Sequence, residues 1–254
     1  MNVANPLFQR TRIKICGLTR EQDIDAAVEA GADAVGFVMY RKSARFVTTQ
    51  RAAGLARRLP PFVTPVLLFV NESAAAVLAA CEQVPGSVVQ FHGDETPAQC
   101  LEATAGGRHP FIRVARLALD ESAPFDLLEF AARYPQAQAI MLDAHVEGYG
   151  GGGKAFNWSR IQVPGTAAGP APTGAVLPHL VLSGGLTAAN VTDGILRVRP
   201  RCRTLAVDVS SGVELDGPGH QGIKDPEKIH RFVAAVRAAD TLLAQKQHAL
   251  LSAT

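Results

Sequence analysis

The chain has few cysteines and no close pair of them: Cys16, Cys81, Cys100 and Cys202 stand far apart. That spacing excludes a zinc cluster and a disulfide framework, and it predicts a reducing compartment, the cytoplasm. Charge of one sign is also missing. With a net charge of +2 and mixed signs along the chain, no basic stripe marks a nucleic acid or an anionic membrane surface as a partner, although a small anionic ligand remains open. No apolar run approaches the roughly 20 residues of a membrane span, and the first residues, Met1-Asn2-Val3-Ala4-Asn5-Pro6, feed no apolar leader. The expectation is a chain that neither spans a membrane nor is exported. No sequence repeat indicates a solenoid, and no linker divides two cores.

What is present is a regular alternation. Eight apolar runs read as strands: Ile13 to Cys16, Ala34 to Met39, Val63 to Val70, Val88 to Phe91, Phe111 to Ala115, Ala139 to Leu142, Leu180 to Leu182 and Leu205 to Val209. They are continuously apolar, as parallel strands covered on both faces are, and helical patterns lie between most of them. Eight such units over 254 residues, 47% of them hydrophobic, predict an α/β fold: one (β/α)8 TIM barrel spanning residues 1–254. Thr19-Arg20-Glu21-Gln22 has the form of a capping box, followed by the stripe Ile24, Ala27 and Val28, with Gly31 as the stop. Ile229, Phe232, Val233 and Val236 give a last helix from about Pro226 its core face. Residues 1–10 read as a flexible arm, 163–178 as a Pro/Gly-rich surface insertion, and 238–254 as a helical extension without function.

Strand ends at one mouth of such a barrel carry the chemistry. Cys16 ends strand one, where the N–H groups of a following helix can draw a thiol down from about 8.5; read alone, it is rather a small core hydrophobe, as cysteines usually are, and the rest of the chain reverses that. Asp143 ends strand six, three places from strand one around a closed ring. A base and an acid flanking one ligand suit proton relocation, whereas the plain alternative makes Asp143 a loop-capping carboxylate. Ser183-Gly184-Gly185-Leu186 and Ser210-Ser211-Gly212 follow strands seven and eight, where barrels bind phosphate through backbone N–H groups. Asp208 either orients a ligand hydroxyl or bonds nearby backbone. Arg45, after strand two, has the charge to clamp a carboxylate, but on charge alone a solvated surface arginine is the default reading. Gln90, His92 and Arg113 line the barrel or its mouth in supporting roles.

The set Lys14-Ile15-Cys16-Gly17-Leu18-Thr19, Gly36-Phe37-Val38, Ser43-Ala44-Arg45, Phe69-Val70-Asn71, Gln90-Phe91-His92-Gly93, Leu142-Asp143, Tyr149 to Lys154, Ser183 to Leu186 and Asp208 to Glu214 resembles the phosphoribosylanthranilate isomerase family of tryptophan biosynthesis, in order from about Arg12 to Val236. The resemblance implies a cytoplasmic, cofactor-free and metal-free Amadori rearrangement, carried out by a monomer or homodimer on a small phosphosugar. It makes Cys16 the general base at the sugar C2 and Asp143 the general acid at the ring oxygen. It assigns Arg45 to the anthranilate carboxylate, Gly184, Gly185, Ser211 and Gly212 to the phosphate, and Asp208 to the sugar. Gly152 and Asn157 depart from the family pattern, as do the insertion and the tail. Two other readings stay open at this point. One is another phosphosugar barrel enzyme, such as an indole-closing synthase, which calls for lysine and glutamate at the mouth that the strand ends do not show. The other is a phosphate-ligand barrel without catalysis.

Overall fold

A computed structural model describes residues 10–118, 125–145, 161–162, 178–199 and 202–252. The Gly-rich segment 148–154, Asn157, all but the last residue of the 163–178 insertion and residues 1–9 lie outside them. The strands are β1 (Arg12–Cys16), β2 (Ala34–Val38), β3 (Thr64–Phe69), β4 (Val88–Phe91), β5 (Phe111–Ala118), β6 (Phe125–Asp126), β7 (Ala139–His145), β8 (Ile161–Gln162), β9 (His179–Leu182) and β10 (Thr204–Val209). Eight of them close a barrel in the order β1-β10-β9-β7-β5-β4-β3-β2, every pair parallel. These are the eight runs expected, so the predicted strands six, seven and eight are β7, β9 and β10. The other two, β6 and β8, form a small parallel pair apart from the barrel, and no apolar run announces either.

Period-two alternation sorts each barrel strand into two faces. Ile13 and Ile15 of β1, Val35 and Phe37 of β2, and Val207 and Val209 of β10 turn outward, joining the large core under the helices. Between them, Lys14 and Cys16 turn inward. Small inner clusters, Val114 with Met141 and Val181, and Cys16 with Val38, Leu68 and Val70, fill the barrel. The inward phase at the C-terminal mouth therefore carries Cys16, Gln90, His92, Arg116, Asp143, Ser183 and Asp208.

The helices are α1 (Glu21–Glu29), α2 (Thr49–Ala56), α3 (Ala74–Gln83), α4 (Pro97–Ala103), α5 (Leu127–Arg133), α6 (Val191–Val198) and α7 (Pro226–Ser252). Thr48, Ser73 and Asp126 cap α2, α3 and α5 through their side chains. The capping box expected at Thr19 does not form. Arg20 holds the N-cap position of α1 without a side-chain bond, and the Thr19 hydroxyl reaches Gly222 O, 3.5 Å away. Arg20 instead ties down Asp23, with its Nε 3.1 Å from Oδ2. A capping box does form on α4, between Thr96 and Gln99. Gly31 ends α1 as expected, in the left-handed region with φ +92°. In α7, Ile229, Phe232, Val233 and Val236 are buried as anticipated. The helix stays anchored into the supposed extension, because buried Asp240 accepts from Thr11 N at 3.0 Å and from Thr11 Oγ1 at 2.6 Å. Among the described residues, no helix is long and apolar enough to cross a membrane.

Candidate active site

Cys16 occupies the last position of β1, only 4% exposed, with Gly36 beside it in register on β2. A Cβ on Gly36 would lie 2.7 Å from Cys16 Sγ and 3.0 Å from Lys14 Nζ, so only glycine leaves room for both side chains. Asp208 is the register partner of Lys14 across β1 and β10. Lys14 Nζ donates to Asp208 Oδ1 at 2.8 Å, and Ser183 Oγ donates to Asp208 Oδ2 at 3.2 Å. Burial pushes the Cys16 thiol up, Lys14 and Lys224 pull it down and Asp208 pushes it up again; the balance lies above a thiol's ordinary value, opposite to the lowering expected at this strand end, because burial outweighs the cations. Burial disfavours the Lys14 ammonium, but Asp208 and the Cys16 sulfur outweigh that and hold it above its ordinary value.

Across the mouth, Asp143 stands near the end of β7, 7% exposed. Its Oδ1 accepts from Ala144 N at 2.9 Å, and its Oδ2 lies 2.9 Å from His92 Nε2, close but bent from ideal hydrogen-bond geometry. Gln90 Nε2 is 3.1 Å from His92 Nδ1. Since β4 has even spacing between them, Gln90 and His92 share the inward face and form a short chain that ends on the acid.

The two glycine loops meet. A Cβ on Gly212 would fall 2.0 Å from Leu186 O, and one on Gly184 2.5 Å from Ala144 N and 2.8 Å from Asp143 Oδ1. Gly184 and Gly185 have φ of +79° and +62°, which favours glycine. Asn190 fixes the first loop, donating from Nδ2 to Gly185 O at 2.9 Å and accepting from Thr187 N at 2.8 Å. Among the described residues, the N–H groups of Gly184, Gly185, Ser211 and Gly212 donate to no backbone carbonyl.

Arg45 lies along Gly17, where a Cβ would meet its Cδ at 2.6 Å, and so sits next to Cys16. Glu214 accepts from Arg45 Nε at 2.6 Å and from Nη2 at 2.8 Å. Glu214 also accepts from Lys224 Nζ at 2.8 Å, and Lys224 donates on to Ser210 O at 3.0 Å. The mouth thus does hold a lysine and a glutamate, which the strand ends gave no sign of, because both sit in the segment after β10. They are committed to each other and to Arg45.

Arg113 is not brought to this site. Its register partners are Phe91 and Ile140, both outward residues. Its guanidinium donates to Phe91 O at 3.0 Å and Gly93 O at 3.1 Å, and stacks over Tyr134 at 5.2 Å. The strand-five arginine on the inner face is Arg116, the register partner of Asp143, paired with Asp94. Counting in twos from Ile112 along β5 would have separated the two.

The family model for N-(5'-phosphoribosyl)anthranilate (PRA) isomerase matches residues 13–235. An N-(5'-phosphoribosyl)anthranilate isomerase of Methylibium petroleiphilum is 58% identical over 238 residues, 94% of this chain and 99% of the relative. One of Dechloromonas aromatica is 53% identical over 231 residues, 91% and 98% of the two chains. The crystal structure of phosphoribosyl anthranilate isomerase from Thermotoga maritima superposes with a TM-score of 0.68 at 34% identity, covering 90% of this chain and 99% of the other. A solved isomerase in complex with reduced 1-(o-carboxyphenylamino)-1-deoxyribulose 5-phosphate gives 0.66 at 32% identity, with coverage of 90% and 99%. With its barrel, its mouth and its full-length relatives in agreement, the chain belongs to the N-(5'-phosphoribosyl)anthranilate isomerase family.

Proposed function

We infer that the chain converts N-(5'-phosphoribosyl)anthranilate into 1-(2-carboxyphenylamino)-1-deoxyribulose 5-phosphate, the Amadori step of tryptophan biosynthesis. The observation that carries the reading is the placement of Cys16 and Asp143, on inward positions of β1 and β7, three strands apart, with the abutting glycine loops between them on β9 and β10.

The chemistry needs only proton transfers. Protonated Asp143 gives its proton to the furanose oxygen as the C1–O bond breaks, and the anthranilate nitrogen lone pair forms an iminium at C1. That iminium acidifies C2, and the Cys16 thiolate takes the C2 proton. The enaminol that results gains a proton at C1 and loses the one on its C2 hydroxyl, giving the ketone with no net gain or loss. The buried positions of both groups strengthen each charge interaction.

Gly184, Gly185, Ser211 and Gly212 hold the phosphate through backbone N–H groups. Arg45, with Nε and Nη2 taken by Glu214, offers Nη1 to the anthranilate carboxylate. Asp208 bonds the sugar hydroxyls from beside Lys14. The substrate is a phosphosugar, as for the solved relative with its reduced product, and the cytoplasm is where such a biosynthetic enzyme with four unpaired cysteines belongs.

The test follows the fluorescence of phosphoribosylanthranilate generated in place from anthranilate and phosphoribosyl pyrophosphate, with a metal chelator present. The wild type should remove the signal rapidly, and Cys16→Ala and Asp143→Asn should each be slower by roughly 10²- to 10⁴-fold. A loss of only a few-fold in either variant removes that residue from the mechanism.

A further inference from the structure

We propose that Lys14 is the positioning residue that sets the charge state of Cys16: its buried ammonium, braced by Asp208, stabilises the thiolate that the isomerisation requires. The inference rests on the functional reading above and assigns the base a second residue.

The geometry comes from β1 and its neighbours. Lys14 and Cys16 are two residues apart on one strand, so both enter the barrel on the same face. Their ends converge on the space above Gly36, where one Cβ would touch both Sγ, at 2.7 Å, and Nζ, at 3.0 Å. Lys14 is 4% exposed, and among the described residues its one carboxylate partner is Asp208, 2.8 Å away, itself fixed by Ser183. A buried ammonium at this position is costly unless it is paired and its donors are hydrogen-bonded, and Asp208 accepts from one of them. The thiolate of Cys16 is the second anion, within interaction reach of Nζ.

Other charges face Cys16 from each packed element. Asp208 comes from β10, Arg45 from the loop after β2, and Lys224 from the segment before α7, with Glu214 neutralising both of the last two. Tyr40 packs against the same small cluster as Cys16. Of the three cations, Lys14 is the one whose Nζ borders the same point above Gly36 as the Cys16 sulfur. Arg45 and Lys224 are largely spent on Glu214, whereas Lys14 shares its charge between Asp208 and the sulfur. Asp208 has a double effect: it holds the ammonium in place, and as a second anion it opposes the thiolate.

The two residues therefore move Cys16 in opposite directions, which a structural role would not do. The experiment measures iodoacetamide alkylation of Cys16 in the full-length protein across pH, read by mass spectrometry on the peptide that carries it. The midpoint of the pH–rate profile reports ionisation of the thiol independently of turnover. Asp208→Asn should lower the midpoint, and Lys14→Met should raise it by about one pH unit or more, a tenfold loss of thiolate at a fixed pH below it. Lys14→Arg, which keeps the charge, should return it most of the way.

Because Lys14→Met leaves Asp208 buried without its cation, the deciding comparison is Asp208→Asn against Lys14→Met/Asp208→Asn, where no carboxylate is stranded. A midpoint at least one unit higher in the double variant supports the proposal, and equal midpoints overturn it. Wild-type isomerase activity is measured separately, so a protein that isomerises with an unmoved midpoint refutes the role of Lys14 alone.

Discussion

Gly212 stands so close to Leu186 that a methyl group on its α-carbon would lie 2.0 Å from the Leu186 carbonyl oxygen. The loops after β9 and β10 are thus packed backbone to backbone at the proposed phosphate site. In Gly212→Ala one loop must move. The expected outcome is a Michaelis constant about tenfold higher or more, with a loss of about 1–3 kcal/mol in unfolding free energy, typical of overpacking. Steady-state kinetics and a urea melt check both, and an unchanged Michaelis constant takes Gly212 out of the phosphate site.

Arg45 should act on binding rather than on turnover. Replacing it with alanine removes a charged hydrogen-bond donor to a carboxylate, an effect of about 1.5–3 kcal/mol, or roughly ten- to a hundredfold in the Michaelis constant, with kcat changed far less. Arg45→Lys should not restore it, because Glu214 orients the guanidinium through two nitrogens at once. Full rescue by lysine would mean that the planar fork is not used.

Glu214 makes stability depend on acid. Burial pushes its carboxyl up, but Arg45 and Lys224 outweigh that and hold it at about 2, against an ordinary 4.5. A carboxyl depressed on folding contributes stability that is complete above the unfolded value and is lost as pH falls through the folded one. Thermal melts from pH 7 to pH 2.5 should therefore show part of the acid loss falling between about pH 4.5 and 2. Glu214→Gln should lower Tm at pH 7 and flatten that limb. Parallel curves for the two proteins would contradict the assignment.

Gln90 is expected to matter without touching the reacting atoms. It holds the His92 ring from Nδ1, 3.1 Å away, and the far nitrogen reaches Asp143. Gln90→Leu should free the ring and lower kcat about ten- to a hundredfold through misplacement of the acid, with the Michaelis constant and the alkylation midpoint of Cys16 both unmoved. A Michaelis constant that rises in step with the fall in kcat would place Gln90 on the substrate instead.

The barrel was legible in the sequence because eight apolar runs at strand length needed covering on both faces, and the ring order then placed Cys16 and Asp143 at one mouth. The glycine loops were legible for the same reason. Lys224 and Glu214 were not, since each is an ordinary surface-type residue until the segment after β10 folds across Arg45. The inward place of Lys14 follows from its phase with Cys16, two residues on. Arg113 was misplaced by one residue of parity. The pair β6 and β8 has two residues in each strand, too few for any periodicity to show.

Thr11 and Asp240 lie 229 positions apart and share three hydrogen bonds, with Arg237 adding one to Thr11 O at 2.8 Å. During synthesis the backbone at residue 11 leaves the ribosome long before its partner exists. At about 5–20 residues per second, the wait is on the order of ten seconds or more. For most of it β1, with its thiol and buried lysine, has no closing strand on one side, since its partner β10 begins only at Thr204, and throughout it the bonds to Asp240 are missing. Ring closure waits for β10, and the nascent chain must keep an apolar sheet edge from pairing with others until that strand arrives.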